Sequence, residues 1–117
     1  FEAAGRELNV AAAGAIASGR MDVARAAHVN QDLMQVERNW CNPEGMPGRP
    51  WFKHSIYATR YTYAHLELPG LTEAAEAGNW PVLAQQTTIL ESELAKNTAL
   101  LKLIKNELNS ISEATKP

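Results

Sequence analysis

From Leu83 onward the chain places Leu83, Thr87, Leu90, Leu94, Asn97, Leu101, Ile104, Leu108 and Ile111 at alternating steps of four and three. That is the spacing of a helix–helix seam, and it predicts one long helix over 81–112. Pro81 falls in its first turn, where the missing N–H costs little. Leu100 and Leu103 widen the stripe and predict packing against two neighbours rather than one. Asn97 is the polar exception. A buried amide there would set the register of the seam, whereas an amide at a wet helix edge would set nothing, and the pattern allows either.

The N-terminal part carries two further helical patterns. Phe1, Ala4, Leu8, Ala11, Ala12 and Ile16 recur at helical spacing over 1–18, and Gly19 ends the run. Asp22 is a suitable N-cap for a helix over 22–40, with Ala26, Val29, Leu33, Val36 and Trp40 forming one stripe. A short helix over 71–77 is closed by Gly78. Four helices joined by one long and one short connection predict an all-α, four-helix-bundle-like domain.

The long connection, 41–70, is not a solvated linker. Pro43, Gly45, Pro47, Gly48 and Pro50 crowd its first part, so the backbone has few paths open to it. Trp51, Phe52, Ile56 and Tyr57 follow, and such side chains imply packing. An ordered loop of this length is ordinarily functional or docked. Within it, 54–58 reads as an extended piece, and Tyr57, Tyr61 and Tyr63 cluster ahead of Pro69 and Gly70. Arg49 suits an anchoring role, because its planar fork can hold carbonyls and a carboxylate together.

At 117 residues the chain can bury about 65% of its unfolded surface as one domain. The net charge is −2 and the cations are isolated, which argues against nucleic acid or an anionic membrane surface as partner. No apolar run approaches the roughly 18 residues of a membrane span, so direct membrane insertion is not expected. No secretory leader is visible, and a chain opening on Phe1 reads as a fragment, a mature product or an excised domain. Cys41 is the sole cysteine and forms no internal disulfide; it reads as a buried or half-buried free thiol, with an intermolecular disulfide as the alternative.

Candidate chemistry is sparse. His28, His54 and His65 fall on separate elements and form no His-Glu-x-x-His pair. His28 and Asp32 are four apart and could share a metal, but such a pair on an exposed helix face is ordinarily solvated charge. His54 reads as a hydrogen-bonded packing histidine, and Glu37 with Arg38 as an ion pair or cap. No nucleophile elbow, phosphate-cradling loop or Cys–His arrangement is present. No catalytic residue and no metal ligand is assigned.

One stretch carries a family resemblance. Glu37-Arg38, then Asn42-Pro43-x-Gly45-x-Pro47-x-Arg49-Pro50-x-Phe52-x-His54-x-Ile56-Tyr57-Ala58, then Leu68-Pro69-Gly70-Leu71, resembles the C-terminal transferrin receptor-like dimerisation domain of the glutamate carboxypeptidase II and transferrin receptor family. The likeness runs from about Phe1 to Ile111 and is strongest between Asn30 and Leu71. It implies a non-catalytic module that stabilises a homodimer by burying apolar helix faces across a two-fold axis. It also implies packing on an upstream peptidase domain of the M28 type, with Arg49, Trp51, Phe52 and Tyr57 as docking residues; spacing itself marks Leu90, Leu94, Asn97, Leu101, Ile104 and Leu108 as the helix seam.

In that family the zinc ligands lie in the upstream domain, so no cofactor is expected in this one. The carboxypeptidases also place a Lys-Tyr pair on the substrate carboxylate. Tyr63 matches the tyrosine, but Thr62 replaces the lysine, the preceding loop is about two residues shorter, and Thr59 stands where the family favours proline. Losing the cation removes the main carboxylate partner, so packing is the stronger reading of Tyr63. The alternatives are the terminal part of an active zinc carboxypeptidase or aminopeptidase contributing a substrate loop, and a free-standing helical binding module. The resemblance implies an extracellular, vacuolar or lumenal location.

Overall fold

A computed structural model describes residues 1–59 and 64–114. Its elements are α1 (Glu2–Ala17), α2 (Val23–Arg38), β1 (Tyr57–Thr59), β2 (His65–Glu67), α3 (Pro69–Glu76) and α4 (Trp80–Glu113). The chain divides into two units, one of Phe1–Glu37 with Leu94–Pro117 and one of Arg38–Glu93. The protein is mostly helical, with a single two-stranded sheet among the described residues.

The first unit is built on three helical segments. Ala4, Leu8, Ala11 and Ala15 of α1, Val29 of α2, and Leu101, Ile104, Leu108 and Ile111 of α4 form one buried cluster. Complete burial of an Ile or Leu side chain contributes about 1.5–3 kcal/mol, so Ile104 and Leu108 are its strongest members. The α1 stripe differs from the one its larger residues suggest. Ala15 is buried and Ile16 is 68% exposed, because the face follows the small residues that let helices approach. Between the first two helices the chain turns through Gly19 at φ +67°. Ser18 Oγ donates to the Ala15 carbonyl at 2.7 Å, and Asp22 Oδ1 accepts from Arg25 N at 2.8 Å as an N-terminal cap of α2.

The α4 seam holds from Asn97 to Ile111 and fails above it. Leu94, which spacing assigns to the seam, is 36% exposed and Leu90 is half-buried. The α1 and α2 partners of this unit's core meet α4 from Asn97 onward, whereas Leu90 packs toward the loop of the second unit. Leu103, expected to serve a second partner, is 58% exposed. Asn97 is fully buried, and its Nδ2 donates to the Val36 carbonyl at 3.1 Å. Of the two readings open for this amide, the structure selects the register-setting one.

In the second unit α2 gives way at Arg38, two residues earlier than its stripe suggests, and Trp40 is buried at the start of the loop. The Trp40 carbonyl there accepts from Ser55 N at 2.8 Å, a bond to the returning strand of the loop rather than to a further helical turn. Three-residue strands β1 and β2 pair antiparallel, Ala58 opposite Leu66, with both of those residues buried. The chain then enters α3 through Leu68 at φ 45°, and α3 ends in a turn where Asn79 N reaches the Ala74 carbonyl at 2.9 Å and Gly78 takes φ +63°. Asn79 caps α4 through Oδ1, which accepts from Val82 N at 3.3 Å.

Candidate functional site

The loop over 41–56 is a closed framework of backbone bonds. Asn42 N donates to the Lys53 carbonyl and Met46 N to the Phe52 carbonyl, both at 2.9 Å. Between them Gly45 turns at φ +74° and Gly48 at φ +76°. A Cβ on Gly45 would lie 2.7 Å from the Pro50 carbonyl carbon and 2.8 Å from its Cα, so the two backbone strands approach as only glycine permits. The Asn42 side chain spans the turn, donating from Nδ2 to the Gly45 carbonyl at 3.1 Å and accepting from Glu44 N at 3.1 Å. The space enclosed by Asn42, Met46, Ser55 and Gln86 is about 10 Å³, room for a single water.

Arg49 projects from this framework and joins three pieces of the unit. Its Nη1 donates to the Thr59 carbonyl at the end of β1 at 3.3 Å, and its Nη2 pairs with the Glu73 carboxylate on α3. The fork thus holds a carbonyl and a carboxylate together. His54 is half-buried; its Nδ1 accepts from Ile56 N at 3.2 Å, and its ring lies 4.1 Å from that of Tyr57. Ser55 Oγ donates to the buried Glu93 carboxylate at 2.8 Å, a contact that composition gave no reason to single out.

What this framework presents outward is aromatic. Trp51 is 73% exposed, Tyr57 is 52% exposed, and Phe52 is half-buried. Cys41 is exposed on the same unit, against its expected burial, because its backbone pairs with His54 at a single bridge and leaves the side chain outside. Tyr63 lies outside the described residues.

The first unit offers a different feature, an apolar groove of about 280 Å³ between α1 and α2. Ala12, Ile16, Met21, Val29 and Leu33 line it, with Leu108 at its floor. Periodicity reached all of these residues but Met21, and placed Ile16 and Leu33 on the apolar stripes of their helices. Spacing identifies the apolar face without saying which of its members finds a neighbour.

His65 is exposed and lies 3.6 Å from Glu67, an ion pair only when protonated. His28 and Asp32 converge with Glu107 of α4, a residue that no local pattern singles out. No helix among the described residues is long and apolar enough to cross a membrane.

No solved structure matches the chain. A family model does, over residues 1–102, and it describes a dimerisation module, which is non-catalytic in itself. That span takes in α1, α2, the whole Pro/Gly loop with its Arg49 anchor, α3 and most of α4. The chain therefore belongs to the transferrin receptor-like dimerisation domain family.

Proposed function

We propose that this domain holds two copies of its parent protein together, and that the α1–α2 groove of the first unit is the face that receives the second copy. The observation that carries this reading is an exposed apolar groove on a member of a dimerisation family. In an isologous contact each residue is used twice, so covering Ile16 and Leu33 removes four large side chains from water. Ile16 is 68% and Leu33 37% exposed, so covering both in each copy contributes about 3–6 kcal/mol toward the cost of joining two bodies.

The aromatic edge at Trp51, Phe52 and Tyr57, braced by Arg49, would seat against an upstream peptidase domain of the M28 type in the same parent chain. The likeness of the Pro/Gly loop to the carboxypeptidase and receptor family supports this assignment. The catalytic zinc pair of such a peptidase would be held in that upstream domain, on the extracellular, vacuolar or lumenal side of a membrane.

Sedimentation of the 117-residue chain over a wide concentration range tests the groove. The wild type should shift from monomer to dimer, and Ile16→Asp with Leu33→Asp should remain monomeric with unchanged circular dichroism. A wild type that stays monomeric at hundreds of micromolar refutes the proposal. So does a double variant that dimerises as well as the wild type. Association lost in Trp51→Ser and kept in the groove variant would assign the contact to the aromatic edge instead.

A further inference from the structure

We infer that His28 and Asp32 of α2 and Glu107 of α4 form a binding site for a divalent metal ion of the zinc class, clamping these two of the first unit's three helical segments. One ligand atom from each residue lies within 4.8 Å of the other two. Any three points so spaced share a centre no more than about 2.8 Å from each, against about 2.0–2.2 Å for zinc to an imidazole nitrogen or carboxylate oxygen. Small side-chain rotations close that gap. One pair, His28 Nε2 and Glu107 Oε1, already stands at 3.8 Å, close to the ligand–ligand separation of about 3.4 Å in a tetrahedral zinc shell.

Charge supplies a second reason. Two carboxylates converge here from different helices, and among the described residues neither is ion-paired with a lysine or arginine. The lysine nearest to Glu107 along α4, Lys105, is engaged with Glu7, and Arg25 on α2 is engaged with Asp22. A dication neutralises the pair, while a protonated His28 does so only partly. The backbone presets the geometry: residues four apart on α2 share a face, and Glu107 is held on the buried side of α4 by Ile104 and Leu108 on either side of it. The imidazole favours zinc over magnesium or calcium, which prefer all-oxygen sites. Three protein ligands leave a fourth position for water or an outside ligand.

The experiment is a titration of the chelator-treated 117-residue chain with zinc alone, followed by calorimetry and by thermal melting. One saturable site is expected, and zinc at a hundred times its dissociation constant should raise the Tm by about 10 °C. His28→Ala, at an exposed position, and Glu107→Gln, at a half-buried one, should each weaken binding at least tenfold, with circular dichroism verifying that both variants fold. His65→Ala should leave the site unchanged. No binding at 100 μM zinc overturns the inference. So does binding indifferent to both variants, or binding lost instead in Cys41→Ser.

Discussion

Gly45 and Gly48 form a matched pair in which nature varies one factor. Both hold a left-handed backbone, at φ +74° and +76°. Around Gly48 a Cβ would meet nothing within 4 Å, whereas around Gly45 it would collide with the carbonyl group and Cα of Pro50. Gly48→Ala should therefore cost only the left-handed penalty, about 1–2 kcal/mol, less a few tenths gained from a stiffer unfolded chain. Gly45→Ala carries the same two contributions and must also push one backbone strand off another, at about 1–3 kcal/mol more.

Subtracting one variant from the other removes the shared contributions and leaves the clash, about 2 kcal/mol. Trp40, Trp51 and Trp80 all lie in the second unit, so tryptophan fluorescence in urea reports on the unit that contains both glycines. With a slope of about 1.5 kcal/mol per molar urea, the two midpoints should differ by about 1.3 M. Coincident midpoints would show that the Pro50 strand yields freely. The description of a closed, rigid loop would then be wrong.

Three further outcomes are expected. Ile104→Ala, at a fully buried core position, should cost about 2–5 kcal/mol in chemical denaturation, whereas Leu94→Asp should be tolerated within about 1 kcal/mol because that side chain is partly in water. Arg49→Lys keeps the charge but not the two-pronged hold on Thr59 and Glu73, and should destabilise the second unit by about 1–2 kcal/mol in urea with tryptophan fluorescence as probe. The hydrogen bond and charge of Lys105 hold the Glu7 carboxyl below its ordinary value. A depressed carboxyl contributes stability that is present above its unfolded pKa and lost as pH falls through the folded one, so Lys105→Ala should return the Glu7 titration, followed by NMR, to the ordinary range and flatten the acid limb of stability.

The lower half of α4 was legible because Leu101, Ile104, Leu108 and Ile111 are large, regularly spaced and buried together. Periodicity gives a direction around a helix but no limit along it, so it extends the seam to Leu94 and gives Leu103 a second neighbour, although both are exposed among the described residues. Ala15 escaped notice for the opposite reason. An alanine carries no apolar signal of its own, although helices meet most closely where side chains are smallest. The hairpin strands are three residues long, too short for alternation to register. Arg49 could be singled out from the chemistry of its fork, but its partners could not, because Glu73 lies 24 positions away. Glu107 joins His28 only in three dimensions, and nothing local announces it.

The amide of Asn97 reaches a carbonyl in the last turn of α2, where the helix runs short of partners of its own. The stopping point of one helix is thus recorded in another, 61 positions downstream. That arrangement works as a gauge. Changes in the number of residues in exposed turns between the two leave the reading undisturbed. A single residue inserted between Asn97 and Leu101 would swing the amide about 100° around the helix axis relative to the greasy side chains below it, and length variation in this family should avoid that interval.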